Sequence, residues 1–361
     1  MKILCVIDSL NSGGAQRQLV NLGIGFKEKG HEVRFLVYHK KDFFKDLLDE
    51  HDIPVHYILT KNYLKRLFLM RKFIRQGNQD VVLSFLTSGS FICEIAALPS
   101  RKWKLVVGER NADPAILKSP KLRLIRFGHL LADFVVSNSQ ENLDMVHKAN
   151  FLLSRNKGKV IYNFVDNRLL LENIEQPKQN LKINIVVAAR HEPQKNIVGV
   201  INALNLLSVN ERNKLELTWY GGIETDESFI RAKSLISAAK LSDVFRLKPK
   251  TLAISEIMKN ADVVGLFSLY EGLPNAICEA MALGKPIICS RVSDLPKLII
   301  ENVNGFLCNP EDPDSIKSAI KKVIEATNTE LFNMGQNNRV KSQQLFHKDI
   351  VVDSYLELFS K

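Results

Sequence analysis

Twice along the chain, apolar runs of about four to six residues alternate with longer stretches of helical periodicity, and one polar, aperiodic segment separates the two series. The first series places strands near residues 3–7, 32–37, 55–58, 81–85, 105–108, 134–137 and 160–161, with a helix over about 15–29 after the first. The second places them near 183–188, 215–220, 244–247, 262–267, 286–289 and 305–307. Nearly continuous apolar strands alternating with helices are the pattern of parallel sheets buried on both faces. The 361 residues are too many for one ordinary domain and suit two. The sequence therefore predicts an α/β protein of two doubly wound parallel-sheet domains facing a cleft: residues 1–165, a linker over 166–182, and residues 183–347. A last helix over 348–361 is expected to pack back on the first domain.

Composition narrows the class. Hydrophobic residues at 45% and charged ones at 25%, without a low-complexity tract, exclude a disordered chain. The first apolar run ends at Asp8, too short for a signal-peptide core, and no window reaches the roughly 18–20 apolar residues of a spanning helix. A cytoplasmic protein is expected. Five cysteines, odd in number and widely spaced, fit reduced core residues rather than a disulfide framework or zinc site. Net charge is unevenly shared: residues 1–165 hold 26 Lys and Arg against 15 Asp and Glu, a net +11, while residues 166–361 hold 24 of each. Such a bias calls for a polyanionic partner of the first half, whether an anionic membrane, a nucleic acid or a phosphorylated substrate.

The densest chemistry lies in the second half. In Leu269-Tyr270-Glu271-Gly272-Leu273-Pro274-Asn275-Ala276-Ile277-Cys278-Glu279, a loop between two strands opens a helix near Asn275. Gly272 permits close backbone approach, and the helix N-terminus attracts a phosphate. Glu279 stands one turn beyond Asn275, and Glu271 stands in the loop above. Carboxylates beside an anion site suit the vicinal hydroxyls of a ribose or hexose; the competing reading is a solvated helix residue and a loop charge. Arg190 and Lys195, between the end of a strand and a helix, can clamp a diphosphate and neutralise it as a leaving group, or can be two exposed loop cations. His191 between them reads as local packing. Gly221 ends a strand at the ligand-binding edge of the sheet, and Lys248 marks where a nucleotide base could meet the backbone.

Together these elements resemble glycosyltransferase family 4, the retaining enzymes of GT-B fold with two Rossmann-like domains, of the type associated with bacterial surface polysaccharides. The resemblance also takes in Gly13-Gly14-Ala15-Gln16 after the first strand and Ile161-Tyr162-Asn163-Phe164-Val165-Asp166 before the linker. It implies that Glu279 binds the donor ribose and Glu271 the donor sugar hydroxyls. Arg190, Lys195 and the backbone of the Leu273-Pro274-Asn275 turn would hold the diphosphate, with Gly13 and Gly14 approaching from the other domain. No metal or other cofactor is implied, and UDP is the expected nucleotide. Where many members carry a histidine, this chain reads Gly108-Glu109-Arg110-Asn111, which places Glu109 and Arg110 near the acceptor or the donor sugar and Asn111 near the acceptor; an intradomain ion pair is the alternative for Glu109 and Arg110.

The leading expectation is transfer of a hexose or N-acetylhexosamine from a nucleoside diphosphate sugar to a lipid-linked saccharide at the inner leaflet. Two segments support membrane contact. Residues 62–75 carry five cations, and Lys118, Lys121, Arg123 and Arg126 repeat the theme among leucines and a phenylalanine. Ordinary domain helices with a solvated basic face are the alternative. Nucleic acid is not expected, because neither segment sits in a recognisable nucleic-acid-binding module. A nucleotide-sugar epimerase of the same fold and a silent sugar-nucleotide-binding scaffold are the other functional readings.

Overall fold

The computed structural model describes residues 1–110, 112–171, 182–223 and 225–361, and divides into two compact units. One comprises Met1–Phe164 with Lys348–Lys361; the other is Val165–His347. Within the segment expected as linker, Asn167–Leu171 forms a short helix, and residues 172–181 lie outside the described residues. Asp166 accepts the backbone N–H of Arg168 at 3.0 Å, a local bond that turns the chain at this point.

The first unit holds seven strands: β1 (Lys2–Ile7), β2 (Glu32–Val37), β3 (Val55–Tyr57), β4 (Val81–Phe85), β5 (Lys104–Glu109), β6 (Phe134–Ser137) and β7 (Gly158–Val160). They are parallel, in the order β3-β2-β1-β4-β5-β6-β7. Successive β1 side chains feed opposite cores. Ile3, Cys5 and Ile7 pack with apolar residues of the Gly14–Glu28 and Lys348–Ser360 helices. Leu4 and Val6 pack with Met70 and Ile74 of the Tyr63–Gln76 helix and with Ile92 and Cys93 of the Thr87–Ala96 helix. A sheet buried on both faces needs such apolar runs. Phe26 meets Tyr355 and Phe359 at ring-centroid distances of 6.3 and 5.4 Å, which fastens the C-terminal helix.

The second unit holds β8 (Ile183–Ala188), β9 (Leu215–Tyr220), β10 (Phe245–Lys248), β11 (Val263–Leu266), β12 (Ile287–Ser290) and β13 (Gly305–Cys308). These are also parallel, in the order β10-β9-β8-β11-β12-β13. Trp219 is wholly buried in a core that joins β8 and β9 to the Ile197–Asn205 and Pro313–Glu325 helices. The strands fall within two residues of those expected from the apolar runs. In each sheet the order reverses beside the first strand, between β1 and β4 and between β8 and β11. The crossover helices diverge at such a point and leave a crevice at the carboxyl ends of the strands, where ligands of open α/β sheets bind.

Candidate functional site

In the second unit the residues singled out from the sequence gather at that reversal. The loop leaving β8 carries Arg190 to Asn196, and the loop leaving β11 carries Phe267 to Pro274. The loops are tied by backbone and side chain: Leu269 N–H donates to the Gln194 carbonyl at 2.8 Å, and the Gln194 side-chain amide donates to the Tyr270 carbonyl at 2.7 Å. Lys195 ion-pairs with Glu271, both side chains largely shielded from solvent. Low exposure strengthens this pair relative to a surface one.

Pro274 caps the Asn275–Ala282 helix with extended backbone and no side-chain cap bond. Its first turn carries no acid, so its positive end keeps its field. Glu279 on this helix is 8% exposed, as is Glu271, so neither is a solvated surface charge. Ser293 donates its hydroxyl to the Gly272 carbonyl and fixes the turn before the helix. Leu273 is buried.

Arg190 and Lys195 differ. The Arg190 side chain is mostly exposed and bonds Glu192 at 2.6 Å, whereas Lys195 is the cation held against Glu271. His191 is buried against Trp219 and Phe229, at ring-centroid distances of 6.4 and 5.1 Å. Gly221 is required by close approach: a Cβ there would lie 1.9 Å from the Ala189 carbonyl oxygen. Gly222 has φ +72° and accepts the Lys250 N–H at 3.1 Å, while the Lys248 carbonyl accepts from Gly221. Lys248 itself is exposed.

In the first unit, Gly13 caps the Gly14–Glu28 helix, whose first turn has neither a side-chain cap nor an acid. At the reversal of this sheet, the ends of β1, β2, β4 and β5 enclose a cavity of about 310 Å³. Its walls include Asp8, Tyr38, His39, Arg66, Thr87, Ser88, Glu109 and Arg110. Asn111 lies outside the described residues.

Glu109 has the intradomain partners that its sequence context allowed. Its carboxylate bonds Arg126 at 3.1 Å and His129 at 3.1 Å, and His129 also reaches Glu94 at 2.5 Å. All four side chains are buried. Burial by itself would lower the His129 pKa, but hydrogen bonds and charge from Glu109 and Glu94 outweigh it and push it up to about 9. Burial would raise Glu109, yet His129 and Arg126 together hold it below the ordinary carboxylate value.

Arg110 is fixed differently. It donates to Asn163 Oδ1 at 3.0 Å and to the Tyr355 hydroxyl, with its guanidinium 4.0 Å from the Phe85 ring centroid. Asn163 lies in the segment before the linker that carries the resemblance, where it was given no role, and Tyr355 was not singled out from the sequence; the hydrogen bond to Tyr355 spans 245 positions, and no local pattern announces it.

The basic segments are more occupied within the unit than their charge count suggests. On the Tyr63–Gln76 helix, Arg71 donates to the Leu98 carbonyl, and Arg75 to those of Ala96, Leu98 and Ser100, at 2.7–3.0 Å. They satisfy carbonyls at the C-terminus of the Thr87–Ala96 helix, where cations are favoured. Arg126, expected on a membrane face, is buried against Glu109 because that carboxylate needs a counter-charge. Lys65 and Lys72 remain exposed, as do Lys118, Lys121 and Arg123.

Two open parallel sheets, each with charged residues at its strand-order reversal, make up the GT-B glycosyltransferase fold. The family model for Glycosyltransferase Family 4 matches residues 12–169, and that for Glycosyl transferases group 1 matches residues 172–341. The two matches, one to each half of the chain, support a family 4-like glycosyltransferase of GT-B fold.

Among relatives, it is 27% identical to the GalNAc-alpha-(1->4)-GalNAc-alpha-(1->3)-diNAcBac-PP-undecaprenol alpha-1,4-N-acetyl-D-galactosaminyltransferase of Campylobacter jejuni, over 100% of this chain and 99% of that one. It is 23% identical to the N-acetyl-alpha-D-glucosaminyl L-malate synthase of Bacillus anthracis, over 96% and 93%. The fold matches HepE of Anabaena in complex with UDP, with a TM-score of 0.84 and 20% identity over 100% of both chains. It also matches the HepE complex with UDP-glucose, with a TM-score of 0.81 and 21% identity over 100% and 99%.

The buried cluster makes a pH prediction. His129 has a folded pKa raised from 6.5 to about 9, so its contribution to stability is complete below pH 6.5 and is lost as pH rises through about 9. Thermal unfolding of the wild-type chain should show a falling midpoint between pH 6.5 and 9.5, and His129→Gln should flatten that fall. Parallel curves for the two proteins would remove His129 as its source.

Proposed function

We propose that the chain is a retaining glycosyltransferase of surface polysaccharide or glycan biosynthesis that moves a hexose or N-acetylhexosamine from a UDP-sugar to a lipid-linked saccharide. The observation that carries this reading is the shielded Lys195–Glu271 pair beside the start of the helix bearing Glu279. The full-length likeness to the Campylobacter jejuni transferase, which acts on a PP-undecaprenol saccharide, supports the acceptor class. The HepE complexes with UDP and UDP-glucose support the nucleotide.

In this reading Glu279 accepts the ribose hydroxyls and Glu271 those of the donor sugar. Lys195, Arg190 and the backbone N–H groups of Leu273 and Asn275 hold the diphosphate, and Lys248 lies near the base. Gly13 and Gly14 leave room for the donor phosphates. Lys195 is already positioned by Glu271, so its charge stands ready as negative charge builds on the departing diphosphate. Retention follows if the acceptor hydroxyl attacks from the side that the diphosphate leaves, with the diphosphate taking the proton. No observation favours the epimerase or silent-scaffold readings.

Calorimetry with UDP and an assay of sugar transfer separate the two glutamates. Glu279→Gln replaces a charged acceptor with a neutral one and should weaken UDP binding by about tenfold or more. Glu271→Ala should leave UDP affinity within a few-fold, roughly, because Lys195 keeps its charge for the diphosphate without its carboxylate partner, and abolish transfer because the sugar hydroxyls lose their acceptor. Unchanged UDP affinity in the first variant, or retained turnover in the second, contradicts the assignment.

For the membrane, the reading places docking on the Pro120–Phe127 helix and the adjoining loop. Leu124, Phe151 and Leu152 are 71%, 74% and 58% exposed beside Lys121 and Arg123, and Phe127 meets Phe151 at 5.9 Å. Among the described residues no helix is long and apolar enough to cross a membrane, so contact would be peripheral. Sedimentation with vesicles containing phosphatidylglycerol should fall when Leu124 and Phe151 are both changed to Ser, and should fall for the wild type as salt rises. Equal sedimentation of both proteins at every salt concentration would move docking elsewhere.

A further inference from the structure

The cavity at the strand-order reversal of the first unit contains an arginine whose circumstances differ from those of its neighbours. Arg71, Arg75, Arg110 and Arg126 all donate to named oxygens within the unit. Arg66 lines the cavity with its guanidinium 4.8 Å from the Tyr38 ring centroid and 5.2 Å from that of Tyr63, and its Nε is buried without a hydrogen-bond partner. Among the described residues no carboxylate pairs with its side chain, whose contacts are these two rings. Two aromatic faces hold the planar group in place, and with Nε buried the terminal Nη groups are the donors left for a ligand. A part-buried guanidinium in this state is arranged for a planar or tetrahedral oxyacid, which it can meet with two parallel N–H bonds.

The rest of the wall fits the same ligand. Thr87 and Ser88 open the Thr87–Ala96 helix, ten residues long and without a side-chain cap bond, so its positive end adds to the field of Arg66 in the cavity. Asp8 lies in the same wall. Its Oδ1 accepts from Gln16 at 2.9 Å and from the Ser9 N–H at 2.7 Å, which leaves Oδ2 for a hydroxyl. Asp8, which can accept a hydroxyl, together with Arg66, whose side chain has no hydrogen-bonded partner, is a lining for a sugar that also carries negative charge.

We propose that this cavity binds an acidic group of the acceptor, a carboxylate or a phosphate, with Arg66 as the residue that recognises it. Calling the ligand an acceptor rests on the transferase reading; anion recognition by Arg66 does not. Arg110, held by Tyr355 and Asn163, forms the neighbouring wall and keeps its shape. Carboxylate and phosphate share the chemistry of a forked oxygen pair, and they differ in charge and in number of oxygens.

The test is calorimetric titration of the full chain with its donor site saturated by UDP, using glucuronate, glucose 6-phosphate, pyrophosphate and glucose in turn. At least one acidic probe should bind more tightly than glucose. Arg66→Gln should weaken that binding about tenfold or more, and Arg66→Lys should recover part of it, since charge returns without the fork. A preference for glucuronate assigns a sugar carboxylate, and a preference for the phosphates assigns a phosphorylated acceptor or a lipid diphosphate. Equal binding of glucose and every acid, no binding of any acid, or acid binding unchanged in Arg66→Gln would overturn the proposal. UDP affinity, measured first for each protein, reports folding and the donor site separately. Absence of any acid preference in the wild type with UDP binding intact therefore sinks this inference alone, whereas absence of UDP binding in the wild type would sink the transferase reading.

Discussion

A parallel strand can reach its next neighbour only by a crossover, and the crossover helices must cover both faces of the sheet. In this chain that constraint acts twice. It puts Ile3, Cys5 and Ile7 in one core of the first unit and Leu4 and Val6 in another, so β1 has no face for water. It also sends successive crossovers to opposite sides where the order turns from β2-β1 to β4 and from β9-β8 to β11. Strand ends at those two places are not covered by their own helices. The charged residues with chemical promise stand there: Asp8, Arg66 and Arg110 in one unit, Lys195 and Glu271 in the other. Site position is thus a consequence of how the sheets are wound.

Charge inside each unit is organised by what burial demands. Glu109 ends a central strand and cannot be buried alone, so Arg126 and His129 accompany it. Arg75 closes the end of a helix by taking three carbonyls. Much of the basic excess of the first 165 residues is therefore partly structural, and the exposed remainder is smaller than the net +11 suggests. Lys195 and Glu271 neutralise one another within a shielded loop pair, an arrangement that holds both side chains in place.

The sheets were legible because strands buried on both faces must be written as apolar runs, and these have few other uses in a chain of this composition. Glu271, Glu279 and Lys195 were legible as residue types in a loop-to-helix context. Their burial, and the bond between Lys195 and Glu271 across 76 positions, were not. Likewise the five cations of residues 62–75 could be counted, but which of them face carbonyls depends on where the Thr87–Ala96 helix ends in space. No sequence pattern marks Tyr355; its hydroxyl bond to Arg110 comes from the return of the last helix to the first unit. Periodicity reports which face is apolar. It carries no information about which polar groups from distant segments will meet.

The central claim is that the open strand ends of the second unit hold a nucleotide sugar whose sugar is passed to a lipid-linked saccharide. Its most direct test is a mass-spectrometric assay of the purified chain with a panel of nucleotide sugars, with and without lipid-diphosphate-linked saccharides, reading released nucleotide and lipid mass together. The account predicts that one donor, a UDP-sugar, releases its nucleotide in step with a lipid product heavier by one sugar. A donor that binds or isomerises while no acceptor gains mass would contradict it.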